Sequence, residues 1–184
     1  AIILSDFTVK VGSTQWNSVG INELEAYSNE VIPPNVVKTE NTNHVLTAAM
    51  TASSVETNAA TLAADKANDG NEETRWSSAS ATVENPSEWI KAEFPELTQI
   101  KHVKVKFHTR TTNVPPSPNN VSQFTVKYID GNGTEKIAKS NVTLEASGEG
   151  YVTEASVVLE NAVAAKAIIL SDFTVKVGST QWNS

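Results

Sequence analysis

The sequence has no cysteine, one methionine, eight glycines and seven prolines in 184 residues, and only 7% of it is aromatic. Without cysteine there are no disulfides, thiolate metal sites or thiol nucleophiles, although this absence assigns no compartment, because many secreted bacterial proteins lack cysteine too. No apolar run approaches the roughly 18 residues of a membrane span. No basic-then-apolar signal segment opens the sequence, which reads as mature or excised. Basic residues are also short: 14 Lys and Arg against 21 Asp and Glu give a net charge of −7. That balance argues against nucleic acid and anionic membrane surfaces, which both reward basic patches, and favours a neutral partner. Enzyme signatures are missing as well: HExxH, GxSxG and a Walker loop are all absent. Glu23 and Glu25 would do glycosidase chemistry only if they faced a cleft with split pKa values, and they read as an acidic strand. The length leaves room for one domain with a real core plus extensions.

What is present begins with a repeat. AIILSDFTVKVGSTQWNS occupies residues 1–18 and, unchanged, residues 167–184. Ancient duplication would have let the copies drift, so either the chain is cut from a tandem array with a period of 166, or the segment was copied by engineering.

Along the chain, residues 1–11 alternate as a strand, 12–18 form a loop, and 19–27 are extended, with Ile21, Glu23, Glu25 and Tyr27 expected on one face and Asn22, Leu24 and Ala26 on the other. Residues 28–44 hold Pro33, Pro34 and several asparagines without a period, and read as a linker. Its 17 residues reach about 56 to 61 Å when extended, more than the diameter of about 38 Å expected for a domain of about 150 residues. The N-terminal strand pair (1–27) can therefore complete its own domain (45–184) in cis, or another's by swapping. Strands are expected at 45–54, 89–94, 100–108, 123–129, 134–140, 142–146 and 151–159, with a loop or short helical turn at 55–64. Asp130, Gly131, Asn132 and Gly133 read as a hairpin turn. Trp89 reads as a packing residue, and His108 falls at a strand's outer end. Short strands between Gly, Asn and Pro turns give an all-β sandwich.

The densest stretch is 65–78, DKANDGNEETRWSS. Asp69-Gly70-Asn71 supplies a tight turn whose glycine can take positive φ. Thr74, Trp76 and Ser78 then share a face that is expected to enter a core. The carboxylates of Asp65, Asp69, Glu72 and Glu73, with turn carbonyls, could complete a calcium shell, but the spacing alone favours a solvated acidic turn before a strand. The EF-hand pattern fails here, with Ala67 at its third position and Trp76 where its glutamate belongs.

This stretch, EWIKAEF at 88–94 and WNSVGINELEAY at 16–27 together resemble the signatures of the coagulation factor 5/8 type C (discoidin) family, whose bacterial branch includes family 32-like carbohydrate-binding modules. The resemblance implies a jelly-roll β-sandwich of galactose-binding-domain type with about eight strands, whose last strand would follow residue 184. It also implies a structural calcium held by the carbonyls of Lys66 and Asn71, the Asp69 carboxylate, the carbonyl and hydroxyl of Thr74, the Asn22 carbonyl and the Glu23 carboxylate.

For a sugar, the resemblance implies loops at one end of the sandwich, where an aromatic ring stacks on the apolar C–H face and polar groups fix the hydroxyls. Arg110 matches the family's loop arginine, and Asn119 or Asn120 its asparagine. Trp16 and its copy Trp182 stand where relatives place the aromatic. On the residues alone, Arg110 is equally a surface ion pair and Trp16 a core plug. Residues 55–58, where galactose-binding relatives often carry histidine, have none, and His108 is the candidate substitute.

The leading expectation is a non-catalytic module of a secreted or surface bacterial protein that binds a terminal, galactose-type glycan and does not insert into membranes. A cell- or protein-adhesion discoidin module is the alternative. The duplicated segment adds a third, a repeat that self-associates through its spare strand.

Overall fold

The computed structural model describes residues 20–28, 42–79, 87–108, 121–144 and 154–175. Among them, runs of β-branched and aromatic residues between turn formers give seven strands: β1 (Gly20–Tyr27), β2 (Ala49–Ala52), β3 (Trp76–Ser77), β4 (Trp89–Phe107), β5 (Val121–Ile129), β6 (Glu135–Thr143) and β7 (Glu154–Val175). All pair antiparallel, in the order β3-β1-β4-β7-β5-β6, with β2 also on β4. The fold is an all-β antiparallel sandwich. No helix among the described residues is long and apolar enough to cross a membrane, which says nothing of a β-barrel.

Two long strands replace the shorter ones expected from the sequence. The runs at 89–94 and 100–108 are one 19-residue strand, β4, which pairs with β7 through both halves. Its register shifts between Glu93 and Thr98 and again between Ile100 and His102. The core face changes phase across these shifts, from Ile90, Ala92 and Phe94 to Val103, Val105 and Phe107. Pro95, Glu96 and Leu97 are exposed at the irregularity, where a missing N–H costs no ladder bond. The first half of β4 pairs with β2 and with residues 167–171 of β7, and the second half with β1 and residues 154–158. Expected strands at 151–159 and in the closing copy are likewise one, the 22-residue β7. Those at 134–140 and 142–146 merge into β6, bent where Asn141 takes a φ of 53°.

Two further expectations change. The opening strand at 45–54 is a 3-10 turn, His44–Thr47, followed by the short β2. Asn43 explains it: its Oδ1 accepts from the amides of Val45 (3.1 Å) and Ala26 (3.2 Å), turning the chain out of extended form. Asn43 also bridges Tyr27, and Ser28 Oγ lies 2.7 Å from His44 Nε2, so the two ends of the 28–44 segment meet. In β1 a bulge between Ile21 and Glu23 breaks the alternation, so Ile21, Asn22, Glu23, Leu24 and Ala26 are all buried. The segment at 55–64 turns through Glu56–Asn58 and Ala60–Leu62 as short 3-10 pieces.

The turn at 130–133 forms as expected: Gly133 takes a φ of 84° and donates its N–H to the Asp130 carbonyl at 3.0 Å. Trp76 enters the core, fully buried, with its ring 6.4 Å from Phe173 and its Nε1 donating to the Ser54 carbonyl at 2.9 Å. Trp89 is half-buried and packs on the core. Trp76→Ala is expected to cost about 3–5 kcal/mol through the cavity it leaves, read by urea titration; a loss below about 1 kcal/mol would place the indole outside the cooperative core.

Candidate functional site

The acidic turn is built by its own side chains. Gly70 takes a φ of +75°, with nothing within 4 Å of where a Cβ would stand. Asp69 Oδ1 accepts from the Asn71 amide (3.0 Å), and Asn71 Oδ1 accepts from the Glu73 amide (3.0 Å), two successive Asx turns. Thr74 Oγ1 lies 2.8 and 2.9 Å from the two Asp69 carboxylate oxygens and 2.8 Å from the Asn71 carbonyl. A hydroxyl has one hydrogen to give, so most of these close oxygen pairs have no proton between them. The Lys66 ammonium is 3.7 Å from Asp69 and 3.4 Å from Asp65.

This turn is docked on β1, 50 residues earlier in the chain, by Asn22 Nδ2, which donates to the Glu72 carbonyl at 2.8 Å. Behind it, β3 pairs with the start of β1 through Gly20 with Ser77 and Ile21 with Trp76. Asn22 is the bulge's extra residue, with no partner of its own on β4. Its Oδ1 and Glu23 Oε1 are buried without a hydrogen-bond partner. A buried polar atom left unpaired is costly, so this pair of oxygens is unsatisfied by the protein alone.

Glu23 is only 4% exposed. Burial first, then the charges of Asp69 and Glu25, pushes its carboxyl up from 4.5 to about 7. Lys106, its cross-strand neighbour, opposes the shift only in part, because its ammonium pairs with the exposed Glu72 carboxylate. Lys104 is likewise engaged, by Glu154 at 3.1 Å and Glu25 at 3.7 Å. Among the described residues no three His, Cys, Asp or Glu side chains cluster as metal ligands. The donors here are instead a mixture of carboxylate, amide, hydroxyl and carbonyl oxygen. That chemistry suits a hard cation, which takes six to eight oxygens of mixed type, and the two orphaned oxygens are what such an ion would satisfy.

Of the expected sugar-binding residues, Trp16, Arg110, Asn119, Asn120 and Trp182 lie outside the described residues. His108 is described, half-buried just beyond the end of β4. The strand ends that these segments continue from are together. Ile21 pairs with Phe107 and Val121 with Val175. The rings of Phe107 and Phe124 are 5.7 Å apart, and those of Trp76 and Phe173 6.4 Å. The start of β1, the end of β4, the start of β5 and the end of β7 therefore share one rim.

Sequence reasoning missed a cleft of about 350 Å³ over the other half of β4, lined by Glu88, Trp89, Lys127, Glu135 and Asp172 among others. Lys127 is held there by Asp172 at 2.9 Å and Glu135 at 3.5 Å. Its residues come from distant strands, so no local spacing announces it.

The raised Glu23 carboxyl gives a signed pH dependence. Its contribution to stability is fully present below about pH 4.5 and is lost as pH rises towards 7, because the fold favours the neutral form. In EDTA, the parent's Tm should fall relative to that of Glu23→Gln between pH 4.5 and 7. Parallel Tm profiles for the two proteins would show that the carboxylate is not desolvated.

Comparison with known proteins completes the picture. No curated protein matches the chain. A family model of the F5/F8 type C group, described as NedA-like, galactose-binding domain, matches residues 66–168, more than half of the chain and the part that runs from the acidic turn through β4 into β7. Domains of this family are typically non-catalytic binding modules, and its galactose-binding-like character points to carbohydrate. With its antiparallel sandwich and this match, the chain belongs to the F5/F8 type C, NedA-like galactose-binding domain family.

Proposed function

We infer that the chain is a carbohydrate-binding module of a secreted or surface bacterial protein, taking a terminal sugar of galactose type at one end of the sandwich. The observation that carries this reading is the shared rim: the segments bearing Trp16, Arg110, Asn119, Asn120 and Trp182 all continue from strand ends that lie together beside His108. An aromatic face for the sugar's C–H surface and an arginine with an asparagine for its hydroxyls are the groups such a site requires. The net charge of −7 fits a neutral glycan better than a polyanion.

The second part of the reading is a structural calcium. Asp69, Thr74, Asn71, Asn22 and Glu23, with the Lys66 carbonyl, would hold it, joining the turn at 65–74 to β1. The unpaired Asn22 Oδ1 and Glu23 Oε1 support this directly. An ion there would supply positive charge where Glu23 and Asp69 repel each other, and would keep Glu23 ionised at neutral pH.

Two measurements test the two parts separately. Calcium at a hundredfold excess over its Kd should add about 2.7 kcal/mol of stability, seen as a Tm that drops in EDTA and returns with calcium. An unchanged Tm, with no calcium by elemental analysis, would remove the ion. Arg110→Ala should abolish retention on a galactose-bearing glycan array while leaving the Tm nearly unchanged, since losing a polar anchor costs about 1–3 kcal/mol of binding. Equal retention by variant and parent would move the sugar off this rim.

A further inference from the structure

The closing copy of the duplicated segment is an interior strand. Residues 167–171 pair with β4 on one side, from Ala167 with Glu93 to Ser171 with Trp89. On the other side Ser171 pairs with Thr125 and Val175 with Val121, both on β5. Ala167, Ile168, Ile169, Leu170, Ser171, Phe173 and Thr174 are all buried. Asp172 takes a φ of 55°, a conformation that Asp tolerates better than most residues, and its carboxylate meets Lys127 at 2.9 Å. The slot is therefore specific in size, polarity and backbone shape along its whole length. Residues 1–9 match it at every position: Ile2, Ile3, Leu4, Asp6 and Phe7 stand for Ile168, Ile169, Leu170, Asp172 and Phe173.

The opening copy is also tethered close by. It leads into β1, which is paired to the opposite edge of β4. Trp76 joins the two sites, since it pairs with Ile21 of β1 and its ring is 6.4 Å from Phe173 in the slot. The ten residues 10–19 reach about 33–36 Å when extended, ample to run from the slot's end to Gly20.

We propose that the slot between β4 and β5 is a strand-binding site with two occupants encoded in one chain: residues 167–175, and, by exchange within the same molecule, residues 1–9. The two occupied forms bury the same side chains against the same neighbours and differ in connectivity. The closing copy holds the slot because it continues β7 directly, with no loop to close; the opening copy must close the loop 10–19 and stands second. Exchange within the chain outcompetes exchange between chains because a short tether sets a local concentration near the millimolar range. This inference is independent of the glycan reading.

The experiment is a mutant set in the full chain: Phe7→Ala, Phe173→Ala and both together. A buried Phe→Ala change that nothing rescues should lower the Tm by about 6 to 20 °C, and the double variant should show that full loss. Phe7→Ala should melt like the parent. Phe173→Ala should lose much less than the double variant, because residues 1–9 take the slot. Hydrogen exchange should then find peptides from residues 1–9 newly protected and those from 167–175 exposed. Light scattering should give a monomer, with a Tm independent of concentration. A Phe173→Ala chain that melts with the double variant, or fails to fold, would show that the opening copy does not enter the slot. A dimeric Phe173→Ala chain, or a Tm that climbs with concentration, would overturn exchange within the chain in favour of exchange between chains.

Discussion

The antiparallel ladder between β4 and β7 is the constraint on which the remaining structure depends, because each strand is long enough to serve two sets of neighbours. β7 meets β4 at both ends of its length, and the register slips in between keep core residues pointing inwards on both sides of the irregularity. β2 and β1 attach to the two halves of β4, β5 joins β7 where β7 leaves β4, and β6 extends β5. The ladder's slips at Glu93 to Thr98 therefore position the rim and the acidic turn as well as the core. Backbone hydrogen bonds are individually modest in net stability, but here they fix which side chains can meet.

Around Glu23 the fold does the opposite of what stability alone would select. A carboxyl is placed in the interior beside Asp69 and Glu25, while the two nearest lysines on β4 are turned towards Glu72, Glu25 and Glu154. Buried charge without a partner is among the more expensive things a fold can contain. Such sites are where an external group commonly supplies the missing interaction, and the bulge that turns Asn22 inwards sharpens the need by adding a second unpaired oxygen.

Much of the architecture was legible in the sequence because its signals are local. The alternation of Val103, Val105 and Phe107, the Gly133 turn, the tight turn at Gly70 and the burial of Trp76 follow from period-two patterning and turn chemistry within a few residues. What escaped was set by distant partners. Pro95 looked like the end of a strand, and only β7 pairing on both sides of it makes β4 continuous. The bulge at Asn22 breaks the expected alternation of β1 and buries Ile21, Asn22 and Glu23 together, because the register against Phe107 and Lys106 on β4 dictates it. At the site, Asp69, Asn71 and Thr74 could be grouped by spacing, whereas the Asn22 bond to the Glu72 carbonyl joins positions 50 apart and leaves no trace in either segment.

The pairing of β1 with β4 has a consequence for the order in which the molecule can form. Glu23 pairs with Lys106, so β1 is synthesised well before its partner exists. At about 5–20 residues per second, the intervening 83 positions take about 4–17 s on the ribosome, far longer than the microseconds in which the β5–β6 hairpin can close. Trp89 then waits a further 82 positions for Ser171. When β4 emerges, β1 and β2 are already present for one of its edges, so it is the edge facing β7 that the nascent chain carries unpaired until β7 has been made.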